Sequence, residues 1–277
     1  MKSLFTVQYS HALDKFFLTE KENPEQGTPF DIPIIDSENN SIIELGAFMV
    51  DKEQIECSKP SKIVFANPNN KPVVSLGYGY LYNFYAISQP TFAPEGWHVP
   101  TREEWENFNG GEINSSILGG YLKEAGTEHW QAPNTGAVDS FWFLLHFPGG
   151  YRYTHGEFYY FGTSARFWSN SLYASAIGVT FYLSHDNTQL SRQYRDADCG
   201  LSVRLLKNDS NNPGSLIDVE GNEYPTINIG GQIWTARNWK CTRLNDGTPI
   251  EKITDNYSWG SAVNPAYCAY NNDESLV

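Results

Sequence analysis

The sequence predicts an α+β fold with little helix, in two parts: a small β-rich domain or arm, then one larger domain. Three observations carry this expectation. From Phe141 onward short β-prone runs, among them 178–183 and 201–206, are punctuated by the turn formers Gly149-Gly150, His155-Gly156, Asp186-Asn187 and Asp196-Ala197-Asp198. Ahead of them stands one segment with a full set of helix signals, 100–108. The texture of the chain also changes at Asn67-Pro68-Asn69-Asn70-Lys71-Pro72, beyond which it becomes aromatic and Gly-rich.

In chain order, the first part offers extended runs at 4–9, 30–35, 41–50 and 62–66, separated by Gly-Thr-Pro and Asn-Pro turn chemistry. Residues 1–67 are therefore expected to form a β-rich domain, 68–75 a linker and 76–277 the second domain. In the helix, Thr101 supplies the capping hydroxyl, Glu104 three residues on completes a capping box, and Trp105 with Phe108 forms an apolar stripe. Residues 207–215 are polar, contain Asn-Asn-Pro-Gly, and read as a second linker. After it, 226–229 and 232–235 flank Gly230-Gly231, and two central glycines tolerate the positive φ angles of turns that match strand twist, so a β-hairpin is expected.

Composition narrows the function. Acidic residues outnumber Lys and Arg by 32 to 19, which disfavours a phosphate-tracking surface and hence a nucleic-acid partner. The longest apolar stretch, 141–147, is far shorter than the roughly 20 residues that cross a bilayer, so no membrane insertion is expected. The first residues lack a continuous apolar run and a small-residue cleavage site, so export by a cleaved leader is unsupported. Cys57, Cys199, Cys241 and Cys268 lack C-x-x-C spacing and read as small buried hydrophobes instead of zinc ligands or a disulfide framework. An aromatic content of 15% suits a recognition surface as well as a large β core.

Several pieces belong together: 81–86 (Leu-Tyr-Asn-Phe-Tyr-Ala), 96–101 (Gly-Trp-His-Val-Pro-Thr) with Glu104-Trp105, 147–152 (Phe-Pro-Gly-Gly-Tyr-Arg), Phe167-Trp168-Ser169 and 201–204 (Leu-Ser-Val-Arg). In these the chain resembles the Fibrobacter succinogenes major paralogous domain, a variant of the C-type lectin-like fold found in Bacteroidetes proteins and their phages. The segment with which that family opens is present too, at 218–224, 229–234 and 244–250, but it stands after the closing strand instead of before Leu81. The resemblance thus implies a C-type lectin-like domain that is circularly permuted, with 207–215 as the joining linker and 216–277 as the family's N-terminal segment. Completion of a neighbouring chain's domain by 214–277 is the competing arrangement.

The resemblance also bears on chemistry. Related formylglycine-generating enzymes use a cysteine-based site; no Cys pair here is compatibly placed and no nucleophile elbow is present, so no catalytic residue and no enzyme activity are expected. Sugar-binding C-type lectins hold calcium through Glu-Pro-Asn and Trp-Asn-Asp motifs. Here Trp168-Ser169-Asn170 stands at the corresponding place, so neither metal nor cofactor is expected, and Asp186, Asn187, Asp196 and Asp198 would supply oxygen ligands only by chance. His98 is expected in a structural hydrogen bond, with Trp97 and Trp105 filling the core below the helix.

The stretch 159–198 is rich in side chains that both stack and hydrogen-bond. Asn170, Tyr173, Tyr182, His185, Asn187, Gln189, Arg192, Tyr194 and Arg195 are the candidate ligand-binding residues, with an irregular solvated loop as the competing reading. In relatives of this fold the equivalent region can be diversified to change the receptor. The expected function is that of a bacteriophage virion protein, a structural, decoration or fibre component located on the virion. Residues 1–67 would bind other virion proteins, and the lectin-like domain a bacterial surface glycan or protein. A homo-oligomer, trimer or dimer, is expected because a β-arm with unpaired edges accepts a neighbour's strand. A bacterial surface or fimbria-associated structural module without ligand binding is the alternative.

Overall fold

The structure, a computed structural model, describes residues 2–10, 15–21, 42–51, 77–108, 115–138, 149–209 and 215–277. The chain divides into two units, Met1–Val74 and Ser75–Val277. It is mostly β-sheet with a few short helices, α+β in class. In the first unit β1 (Lys2–Ser10), β2 (Lys15–Lys21) and β3 (Ile42–Asp51) form an antiparallel sheet in the order β2-β1-β3. Strands β1 and β3 fall on expected runs, whereas β2 was not anticipated. The expected runs 30–35 and 62–66 lie outside the described residues.

The second unit opens with β4 (Leu81–Tyr82), α1 (Phe84–Ile87), β5 (Trp97–His98), α2 (Arg102–Glu106) and α3 (Ser115–Leu122). The capping box of α2 forms as its residues require: Glu104 N–H donates to Thr101 Oγ1 at 3.2 Å, and Thr101 N–H donates to the Glu104 carboxylate at 2.8 Å. Burial opposes ionisation of Glu104, but donation from Thr101 and His98 outweighs it and holds the carboxyl below its ordinary value. Trp105 and Phe108 are fully buried. Trp97 is only partly buried and packs against a different hydrophobic cluster, so the two tryptophans do not share one core as expected.

Next come β6 (Gly149–Arg152), β7 (Phe158–Phe161), β8 (Ser164–Ala174), β9 (Ile177–Ser184) and β10 (Ser191–Asp196), a sheet ordered β10-β9-β8-β6-β7. Gly149-Gly150 is not a turn but part of β6. Gly150 has φ +63° because β7 crosses so closely that a Cβ there would lie 2.0 Å from the Tyr159 carbonyl oxygen. This sheet is buried on both sides of its middle. Phe167, Val179, Phe181 and Leu183 pack on Trp105, Phe108 and Trp234, while Trp168 packs on the other side with Tyr82, Phe84 and Trp239.

The run 201–206, expected as one strand, is a connector instead. Its carbonyls accept in turn from Tyr82, Trp168, Trp239 and Thr235 at 2.8–3.2 Å, which splits its pairing between elements before and after it. Only β11 (Leu206–Lys207) is strand, between β5 and β14. The remaining elements are β12 (Ser215–Ile217), β13 (Glu223–Ile229), β14 (Gln232–Thr235), β15 (Glu251–Lys252), α4 (Asn256–Gly260) and β16 (Ala266–Cys268). The β13–β14 hairpin turns on Gly230 and Gly231 at φ +58° and +85°, as the sequence led one to expect. Strand β16 pairs with β4, and all three hydrophobic clusters of this unit contain residues from 215–277.

Candidate functional site

Strand alternation decides where the candidate residues point. In β10 the even–odd pattern of exposure places Arg192 and Tyr194 on one side of the sheet and Gln193 and Arg195 on the other. Arg192 and Tyr194 share the side of Phe181 and Val179, against which α2 packs. There the Tyr173 and Tyr194 rings stack at 4.1 Å, with Tyr173 63% exposed. The guanidinium of Arg192 lies 6.0 Å from the Tyr194 ring and pairs with Glu106, the last residue of α2. Asn170 is exposed, and its N–H donates to the Pro100 carbonyl beside the start of the same helix.

Tyr182 and Arg195 lie on the opposite side, in a cluster with Arg166, Gln193, Tyr151 and Tyr160. The guanidinium carbon of Arg166 is 4.9, 5.0 and 4.8 Å from the ring centres of Tyr151, Tyr160 and Tyr182, and that of Arg195 is 5.2 Å from Tyr151. Both arginines donate to one atom, Gln193 Oε1, at 2.7 and 2.9 Å. Sequence reasoning did not single out Arg166, Tyr151 or Tyr160. The available signal was the period of two along 164–168, which sets Arg166 on the side of Trp168.

His185, Asn187 and Gln189 form neither cluster. They occupy the β9–β10 loop and bond inward: His185 Nδ1 lies 3.1 Å from the Ala132 carbonyl, and Asn187 Oδ1 accepts from Gln189 N–H. Beneath them Lys123 donates to the carbonyls of Thr135, Ser184 and Asn187 at 2.8–2.9 Å, with burial pulling its ammonium down to about 8. Strand and ordered loop thus replace the irregular segment that was the competing reading of 159–198.

Other candidates resolve into structure. Asp186 follows one end of β9 and Asp196 pairs at the other, so these carboxylates do not converge. Asp218, Glu220 and Cys241 approach one another, but Asp218 accepts from Glu220 N–H, Asn222 N–H, Asn222 Nδ2 and Tyr224 OH and so closes its own loop. Cys199, Cys241 and Cys268 are free and buried, and burial pushes the Cys199 and Cys268 thiols up to about 12, which makes them poor nucleophiles. Cys57 lies outside the described residues. His98 bridges Glu104 at 3.0 Å and Asn208 at 2.6 Å, tying β5 to α2.

Two further arginines hold the unit together. Arg152 donates to the carbonyls of Gly156, Ile253 and Thr254 at 3.0, 2.5 and 2.9 Å and stacks 4.4 Å from the Trp259 ring. Arg204 donates to Asn238 Oδ1 at 2.6 Å and the Thr235 carbonyl at 2.9 Å; burial, then the charge of Arg237, pulls it down to about 9. Both reach into 215–277 from motifs that lie earlier in the chain.

These features define a mostly β, α+β domain built on aromatic cores and buried arginine clamps. The Fibrobacter succinogenes major domain family matches residues 39–207, more than half of the chain, and the chain belongs to that family. The match begins inside the first unit and stops before 215–277. No curated protein and no solved structure gives a significant match.

Proposed function

We propose that the chain is a bacteriophage virion protein, non-enzymatic, that displays its second unit to bind a bacterial surface glycan or protein. The observation that carries the binding part is the exposed Tyr173–Tyr194 stack beside Arg192, on the same side of the sheet as the packed Val179 and Phe181, which hold it rigidly. Rigid tyrosines present large contact area at small entropic cost, and Arg adds directed donors. In this reading residues 1–67 bind other virion proteins and other copies of the chain, as a trimer or dimer, through strand edges. Adsorption of host cells to the purified protein tests it. A combined Tyr173→Ala and Tyr194→Ala change is expected to reduce adsorption at least tenfold, and unaltered adsorption by the folded double variant would discard this face.

We infer too that the second unit is C-type lectin-like with its order circularly permuted. What supports this is that 215–277, which resembles the family's opening segment, pairs with β4 and β11 and is held by Arg152 and Arg204. The start of the family match at residue 39 supports the rival, in which 39–75 opens the domain in ordinary order. Moving 216–277 to a position ahead of residue 77 distinguishes them. A permuted domain keeps its thermal midpoint after the move; under the rival the rearranged chain fails to fold.

A further inference from the structure

The cluster around Arg166 is unusual for a protein with a formal charge of −13, because two cations meet there without a counter-ion. Among the described residues no carboxylate pairs with Arg166 or Arg195, and the Nε of each is buried with no hydrogen-bond partner. Thr180 Oγ1 and Ser164 Oγ, also on the Arg166 side of β8 and β9, are buried and unpartnered as well. Arg166 is only 6% exposed, so its charge has lost most of its hydration. Burial and, after it, the charge of Arg195 both work against the Arg166 cation. Desolvated like charges with free donors are destabilising unless something else occupies the position between them.

The walls of the cluster are also built at a cost. Tyr160 has φ +65°, a conformation rarely adopted by a residue with a side chain, and it stands opposite Gly150 in the β6–β7 pair. This backbone brings its ring to 5.9 Å from Tyr151, nearly parallel to it, and over Arg166. Tyr160 is nevertheless 53% exposed, and Arg195 and Gln193 are half-buried, so the cluster opens to solvent along that side. A planar donor fork that shares a single amide oxygen with a second fork is matched better by two oxygens carrying negative charge. The aromatic rim offers a face for the C–H side of a ring.

We propose that Arg166 and Arg195 form a subsite for a carboxylate carried on a pyranose ring, the acidic unit of a uronic-acid-type saccharide. The carboxylate displaces Gln193 Oε1 as the shared acceptor, and the sugar ring lies against Tyr160 and Tyr182. This deepens the binding reading above by naming a ligand chemistry, but it uses the opposite side of the sheet and can fail separately from it.

Titration calorimetry of the full chain at low ionic strength tests the inference, with glucuronate-containing oligosaccharide, its carboxyl-reduced counterpart and inorganic sulfate as probes. The acidic oligosaccharide is expected to bind, and the reduced form at least tenfold more weakly. Arg195→Gln is expected to weaken binding at least tenfold, whereas Tyr257→Ala, at an exposed position outside both clusters, leaves it unchanged. Because Arg195→Gln removes a repelling charge from a half-buried position, the ligand-free variant should keep or raise its thermal midpoint. A fall of more than about 4 °C would mean a structural role and overturn the proposal. So would absence of binding up to millimolar oligosaccharide, equal binding of the reduced form, or unchanged binding by Arg195→Gln. Sulfate binding as tightly as the saccharide would show a bare anion site and overturn the sugar assignment. Loss of cell adsorption on changing Tyr173 and Tyr194, with no effect of Arg195→Gln on saccharide binding, would sink this inference and leave the other.

Discussion

Arg152 and Arg204 differ from Arg166 and Arg195 in what their guanidinium groups meet, although all are charged groups in one unit. Arg152 is surrounded by carbonyls and an indole face, and Arg204 by a carbonyl and an amide oxygen. Arg166 and Arg195 face tyrosine rings, each other and one shared amide oxygen, with the neighbouring Tyr194 carbonyl as the one backbone acceptor that Arg195 reaches. Packed backbone carbonyls turn an arginine into a cross-link between segments. Where carbonyls from distant segments are missing, as around Arg166 and Arg195, the Nε donors stay unpartnered and two guanidinium groups share one acceptor, which is the condition of a binding site.

The strongest way to break the comparison is to remove a cross-link. Arg152→Met strands the carbonyls of Gly156, Ile253 and Thr254 in a buried site and is expected to cost about 3 kcal/mol or more, measured by urea unfolding. A cost near zero would mean that the clamp is no more structural than the Arg166 cluster. Gly150→Ala attacks the tyrosine box without touching a charge. Its Cβ would clash with the Tyr159 carbonyl at φ +63°, so a loss of about 2 kcal/mol is expected in the same measurement.

Glu104 is an anionic counterpart of the clamps, since its donors are all supplied. Its folded-state pKa lies below the ordinary 4.5, so its contribution is present above about pH 4.5 and lost as pH falls through the folded value. Glu104→Gln should therefore cost about 1 kcal/mol at neutral pH, and the gap between variant and parent should close on acidification. Failure of the gap to close would show that packing, not charge, is what Glu104 provides. The smallest effect belongs to an exposed residue of the edge strand β10. Tyr194→Ala should change stability by less than about 0.5 kcal/mol, because it leaves the core untouched; a larger loss would make the Tyr173 stack a structural feature.

The legible parts of the fold are those whose cause lies within a few residues. Thr101 and Glu104 declare a capping box by spacing alone, and Gly230-Gly231 declares a hairpin because the turn demands positive φ at both positions. Strand β9 follows from its β-prone residues. The candidate site was legible only as composition. Tyr173, Arg192 and Tyr194 come together, but Tyr182 and Arg195 belong to the other side, because a one-residue step in a strand reverses the side chain. Which side of β10 faces solvent depends on what packs under β9, and that is absent from the local pattern.

By itself the sequence determined the class of the fold, the family, the α2 capping box and the β13–β14 turn, since such turns and caps are settled by neighbours along the chain. Tertiary structure alone decided which arginines are clamps and which are left with free donors. The acceptor that holds Arg152 is the carbonyl of Ile253, 101 positions further on, and the rings that surround Arg166 come from other strands of the sheet. A guanidinium is the same group wherever it stands in a sequence; only packing over such separations fixes whether a carbonyl, a ring or an open space lies against it.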